Sequence, residues 1–192
     1  MLMATKTRRW TRADLAHLPD DGNRYEVLDG ELFVTPQASF PHQWIATRLI
    51  LVLGPYLERH GLGVVVGPGA IIFGDNELQP DVLVLPSVPT RIPEKWDRLP
   101  RASLVVEVLS RTTRSRDFGK KRKAYLRRRI PSYWVIDRFE RQALVWTAAS
   151  EDERVVTTEL RWQPNPEIEP LVIPLADILP PLSDPEPIDD ED

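Results

Sequence analysis

The segment Ser103–Leu109 constrains this chain most. It is an almost continuous apolar run, Leu104-Val-Val-Glu-Val-Leu109, interrupted only by Glu107. Such a run reads as a strand buried on both faces, which needs a sheet covered on each side by other elements. Around it, helical and strand patterns interleave. Thr11–Leu18 reads as a short helix with Thr11 as N-cap. Tyr25–Thr35 reads as two strands about an Asp29-Gly30 turn. Ser39–Arg59 has apolar residues at helical spacing, with Pro55 predicting a kink or an early end and Gly61 and Gly63 a stop. Strands are expected at Val64–Val66, Ala70–Phe73, Val82–Leu85, Tyr133–Asp137 and Ala143–Thr147, with an edge strand in Val155–Trp162. A helix is expected over Arg116–Arg129. The fold class is therefore α/β with a mixed central sheet flanked by helices and an N-terminal β-hairpin.

From Pro164 to Pro187, eight of 24 residues are proline. That segment predicts an extended strap (residues up to 182, closing one domain over 1–182) followed by a disordered acidic tail over 183–192. The tail carries six of the 29 acids and no base, so the net charge of −4 hides a body with 23 acids against 25 bases. Ten Lys or Arg and one acid lie between Arg111 and Arg129. This basic patch suits a phosphate-bearing partner or, equally, a solvated helix face. There is no cysteine, which excludes disulfides, thiol catalysis and thiolate metal sites. The N-terminus lacks the apolar core of a secretory signal, and a cytoplasmic location is the expectation. HExxH, P-loop and GxSxG patterns are absent.

Chemistry is expected where charge interrupts apolar pattern. Glu107 sits mid-strand, and a buried ionised carboxylate is costly unless it is paired, hydrogen-bonded or metal-bound. Asp81 opens the strand Val82–Leu85, so the two acids can share one side of a sheet, as hard oxygens for Mg²⁺ or Mn²⁺. A buried salt bridge and a turn-forming aspartate are the structural alternatives. Phe118, Lys121 and Tyr125 recur at i, i+3 and i+7, which puts a lysine on an aromatic, inward face. Lys120 and Lys123 point elsewhere, and Asp117 can pair with Lys121 at i, i+4. On this reading Lys121→Met, which keeps the apolar stem, should spare the fold. Glu31 and His42 are secondary candidates, the first more simply an exposed strand acid, the second more simply a surface or capping group.

These residues belong to an ordered set: Tyr25-Glu-Val-Leu-Asp-Gly-Glu31, Pro41-His-Gln43, Gln79-Pro-Asp-Val-Leu-Val84, Leu104-Val-Val-Glu-Val-Leu-Ser110 with Thr113, Asp117 with Lys121 and Tyr125, and Ile130-Pro-Ser-Tyr-Trp-Val-Ile-Asp137. Over about residues 25–147 the chain resembles the Uma-two family of restriction-endonuclease-like proteins, in the PD-(D/E)XK nuclease superfamily. The resemblance implies a restriction-endonuclease-like sheet with Asp81 and Glu107 as the two signature acids. The superfamily's usual lysine, two residues after the second acid, is Leu109 here, and the resemblance points to Lys121 on the following helix instead. It implies a metal-dependent endonuclease: Asp81, Glu107 and the Val108 carbonyl holding Mg²⁺ (or Mn²⁺), Lys121 at the reacting water, and Arg111, Arg114 and Arg116 along a nucleic acid, with double-stranded DNA and a homodimer as the expected partners. The alternatives are a catalytically inactive nuclease-fold module that binds nucleic acid or protein, and a structural protein whose acids pair with arginines.

Overall fold

A computed structural model describes residues 8–86, 92–110 and 117–181. After a single helical turn (α1, Arg12–Leu15), strands β1 (Arg24–Leu28) and β2 (Glu31–Thr35) form an antiparallel hairpin. Its turn has Asp29 and Gly30 at φ 53° and 87°. Positive φ at both central residues matches strand twist, and is why an Asp-Gly pair stands there. Helix α2 follows (Phe40–His60), then β3 (Val64–Val66), β4 (Ile71–Phe73), β5 (Asn76–Leu78) and β6 (Val82–Leu85). A 3₁₀ turn at Trp96–Arg98 precedes β7 (Leu104–Val108). A π-helical turn (Asp117–Lys121) runs into α3 (Arg122–Arg127), then β8 (Ser132–Asp137), β9 (Gln142–Thr147) and β10 (Ser150–Val156). Last come β11 (Glu159–Trp162), β12 (Leu171–Pro174) and α4 (Leu175–Ile178).

The central sheet has the order β10-β9-β8-β7-β6-β3. It is mixed: β7 and β8 are parallel and the other pairs antiparallel. A parallel pair needs a crossover, and the segment carrying α3 supplies it. Both middle strands are buried throughout, as the apolar run in β7 demands. Alternation along β6 and β7 divides the core. Val82, Val84, Val106 and Val108 face α2, β11, β12 and α4. Leu83, Leu85, Val105 and Leu109 face a second sheet, β2-β1-β5-β4, together with α3. Among the described residues no helix is long and apolar enough to cross a membrane.

Three expectations need correction. Helix α2 runs to His60, where Gly61 caps it at φ 63°, as the Ser39–Arg59 spacing expects; of the two effects expected of Pro55, the early end does not occur. Pro55 and Leu51, whose carbonyl the proline cannot satisfy, both lie on the exposed face, so the freed acceptor is open to solvent. The stretch Val155–Trp162 is two strands rather than one. The proline-rich segment is more than a strap: β12 pairs antiparallel with β11, and Ile173, Leu175, Ile178 and Leu179 enter the core beneath α2. Proline is tolerated there because Pro174 ends an edge strand. The strand β5 had no sequence signal, being three residues long with two of them polar. The acidic tail lies outside the described residues.

Candidate active site

The register of β6 and β7 pairs Val82 with Val106 and Leu83 with Val105. Continued by one residue, it sets Asp81 opposite Glu107 on the face shared with Leu83 and Val105. Asp81 is buried at the mouth of its strand, and its two oxygens are held separately. Arg24 Nη1 donates to Oδ1 at 2.7 Å, while the Val108 N–H (2.8 Å) and His42 Nε2 (3.1 Å) donate to Oδ2. Burial pushes the Asp81 carboxyl up. The His42 hydrogen bond and charge, the Arg24 guanidinium and the Val108 N–H outweigh it and bring Asp81 down to about 2. Val108 thus engages the site through its N–H. Behind Asp81, the β3–β4 loop presses so closely that a Cβ on Gly67 would lie 2.3 Å from the Asp81 carbonyl oxygen.

Glu107 is also buried. Its Oε1 accepts from Lys121 Nζ and from the Tyr125 hydroxyl, each at 2.9 Å. Burial and the neighbouring Glu107 and Glu26 charges push the Tyr125 hydroxyl well above its ordinary range, so it serves as a donor. Lys121 is only 2 % exposed, and its ammonium also meets Glu26 Oε1 at 2.8 Å. Glu26 Oε1 accepts the Gln79 N–H at 2.7 Å as well. Lys121 therefore bridges two buried carboxylates, one from each sheet. The helical-face argument places it correctly, although its residues 117–121 form a π turn and regular α-helix begins only at Arg122.

Asp81, Glu107 and Lys121 line one open pocket of about 160 Å³ with Arg24, His42 and the linker from Thr35 to Ser39. Of the secondary candidates, His42 belongs to this pocket. Glu31 does not: it is exposed on β2 and paired with Lys120, because on its strand it points to the solvent side of the hairpin. The Asp117 and Phe118 side chains lie outside the described residues, as do Arg111, Arg114 and Arg116. Sequence reasoning missed Arg24 and Glu26. They alternate with Leu28 on one face of β1, but only the fold shows that this face is buried, Leu28 fully so.

A family model named Uma2 and described as "Putative restriction endonuclease" matches residues 12–176. The chain belongs to the Uma2 family. By its description this is a family of restriction-endonuclease-type nucleases, and a nuclease family implies a nucleic-acid substrate. A solved structure from Anabaena variabilis ATCC 29413, described as a "putative nuclease belonging to DUF820", superposes with a TM-score of 0.69. It is 18% identical and covers 88% of this chain and 96% of its own. At that identity the likeness concerns the fold, and it agrees with the mixed sheet and flanking helices of this Uma2 chain. No curated protein matches the chain.

Proposed function

We propose that this chain is a Mg²⁺-dependent endonuclease, with Mn²⁺ as an alternative ion, that hydrolyses phosphodiester bonds in DNA. The observation that supports this best is the pairing of Asp81 with Glu107 across adjacent strands beside the Lys121 ammonium, all opening on one pocket. The donors suit a hard divalent ion in kind, two carboxylates of neighbouring strands, one of them kept ionised by its surroundings; among the described residues no group of three or more His, Asp or Glu is arranged to hold a metal, so water and substrate would complete the coordination. Asp81 and Glu107 would hold the ion, which when bound polarises the scissile phosphate and acidifies a water molecule.

The remaining roles fall to the chain itself. Val108 and His42 fix one oxygen of Asp81 and so aim the carboxylate. Tyr125 fixes Glu107 from the opposite element. Lys121 donates to the attacking water or offsets charge developing on the phosphate, in a site where burial strengthens such contacts. Arg111, Arg114 and Arg116 follow β7 in sequence, and on this reading they hold the phosphate backbone without reading bases. A homodimer would supply two such sites for a double-strand cut. One observation favours a non-catalytic reading, that of a structural protein whose acids pair with arginines: Asp81 is already paired with Arg24.

Cleavage assays separate the two. Mixed DNA and RNA substrates should be cut in Mg²⁺ or Mn²⁺ and spared in EDTA, with DNA the better substrate. Glu107→Ala should abolish cleavage. A wild-type protein that binds nucleic acid but never cuts it, in either metal, would establish the non-catalytic module instead.

A further inference from the structure

Arg24 is on the wrong sheet to be an ordinary neighbour of Asp81. It belongs to β1 in the hairpin layer, yet its Nη1 sits 2.7 Å from Asp81 Oδ1. Among the described residues this is its one side-chain hydrogen bond. A guanidinium is a planar fork with several further donors, well matched to the oxygens of a phosphate. Its side chain is a quarter exposed, and it lines the pocket that holds Asp81, Glu107 and Lys121 as well as a second opening beside α2 at Gln43 and Thr47. The arginine therefore satisfies an acid through one nitrogen while its partly exposed side chain lines both openings.

A divalent ion on Asp81 changes that balance. The carboxylate that attracts Arg24 becomes shared with a dication, and the two cations repel one another. The cheapest response is for the guanidinium to turn its fork to the nearest anion able to enter the same pocket. We infer that Arg24 is the resident counter-ion of Asp81 in the metal-free protein and passes to the substrate phosphodiester once a divalent ion takes Asp81. The inference rests on the nuclease reading above and adds to it a phosphate ligand that also regulates metal entry. Lys121 does not act as the counter-ion that Asp81 releases, because its ammonium pairs with Glu26 and Glu107.

The test has two titrations on the full chain. In the first, Mg²⁺ and Mn²⁺ are titrated calorimetrically without nucleic acid. Arg24→Met should bind the ion more tightly than wild type, by about tenfold, the equivalent of one competing interaction of modest size. Arg24→Lys keeps a cation beside Asp81 and should stay near wild type, so tightening must follow the charge. In the second, a labelled DNA oligonucleotide is titrated by anisotropy with Ca²⁺ in the site. Arg24→Met should weaken binding, and Arg24→Lys should restore it only in part, because an ammonium lacks the fork.

Unchanged or weakened metal binding in Arg24→Met, in a variant whose circular dichroism matches wild type, would overturn the inference. Should Arg24→Met not fold, Arg24→Lys decides through the second titration: DNA binding equal to wild type would overturn the phosphate assignment. Failure of the nuclease reading looks different. There the wild-type protein itself takes up no metal, or takes it up equally well as Asp81→Asn.

Discussion

Replacing Lys121 with methionine tests the charge arrangement directly. The ammonium lies 2.8 Å from Glu26 Oε1 and 2.9 Å from Glu107 Oε1, so those two oxygens are less than about 6 Å apart. Without the shared cation, two buried carboxylates repel across that gap by about 3 kcal/mol at an effective dielectric near 20. Breaking a buried ion pair by removing one partner costs about 3–5 kcal/mol, a large share of the roughly 5–15 kcal/mol that holds a domain folded. The helical-face argument alone expected the fold to be spared; the second carboxylate reverses that. One of the acids in the variant should hold a proton well above its usual range. A folded-state pKa raised above the unfolded one gives stability that is present at low pH and lost as pH rises through the raised value. Urea unfolding should therefore show a deficit of about 3 kcal/mol near pH 8 that shrinks towards pH 5. The double variant Glu26→Gln with Lys121→Met should recover much of it. A Lys121→Met protein within about 1 kcal/mol of wild type at both pH values, with no coupling to Glu26→Gln, would refute the reasoning.

Other outcomes follow from the same geometry. Mg²⁺ at a hundredfold excess over its Kd should raise stability by about 2.7 kcal/mol, seen as a higher Tm, and Asp81→Ala or Glu107→Ala should remove the effect. Asp81, lowered from 3.8 to about 2, stabilises the fold above its unfolded pKa and loses that contribution as pH falls through the folded value. In acid titrations the wild type should therefore lose about 2 kcal/mol that Asp81→Asn does not. Lys120→Met breaks the exposed pair with Glu31 and the approach of the ammonium to the Phe33 ring, and should change unfolding free energy by less than about 1 kcal/mol, with cleavage intact.

How much of this was legible in the sequence depends on how local the signal is. Leu104–Leu109 announced its strand because double burial leaves an unbroken apolar run, and Glu107 announced itself as the exception. Asp29-Gly30 marked its turn because few residue pairs accept positive φ twice. Lys121 was found because an aromatic pair at i−3 and i+4 defines an inward face. Arg24 and Glu26 were not found. Their partners are 57 residues away at Asp81 and 95 away at Lys121, and nothing within β1 says which sheet it will face. Charged residues alternating with Tyr25 and Val27 resemble any half-solvated strand. Pro55 misled because a proline's effect on a helix depends on whether the freed carbonyl faces water, a tertiary fact. Pro164–Pro181 misled because composition records what cannot be a central strand and says nothing of a short edge pair.

The charged residues in and behind the pocket are also fasteners. Arg24 and Glu26 come from the hairpin sheet, Asp81 and Glu107 from the central one; the Arg24–Asp81 pair and the Lys121 ammonium shared by Glu26 and Glu107 span the seam where the two layers meet. Losing chemistry one residue at a time therefore loosens the architecture before it retires the activity. A descendant that has abandoned cleavage gains nothing by keeping the set half intact, since each orphaned charge strains the seam. It should exchange the group together for apolar side chains of similar volume, which can bind the layers at least as well. In chains of this fold, a mixed remnant of these charges is thus the mark of a site still under use, whereas their joint replacement by aliphatic residues marks one that has been given up.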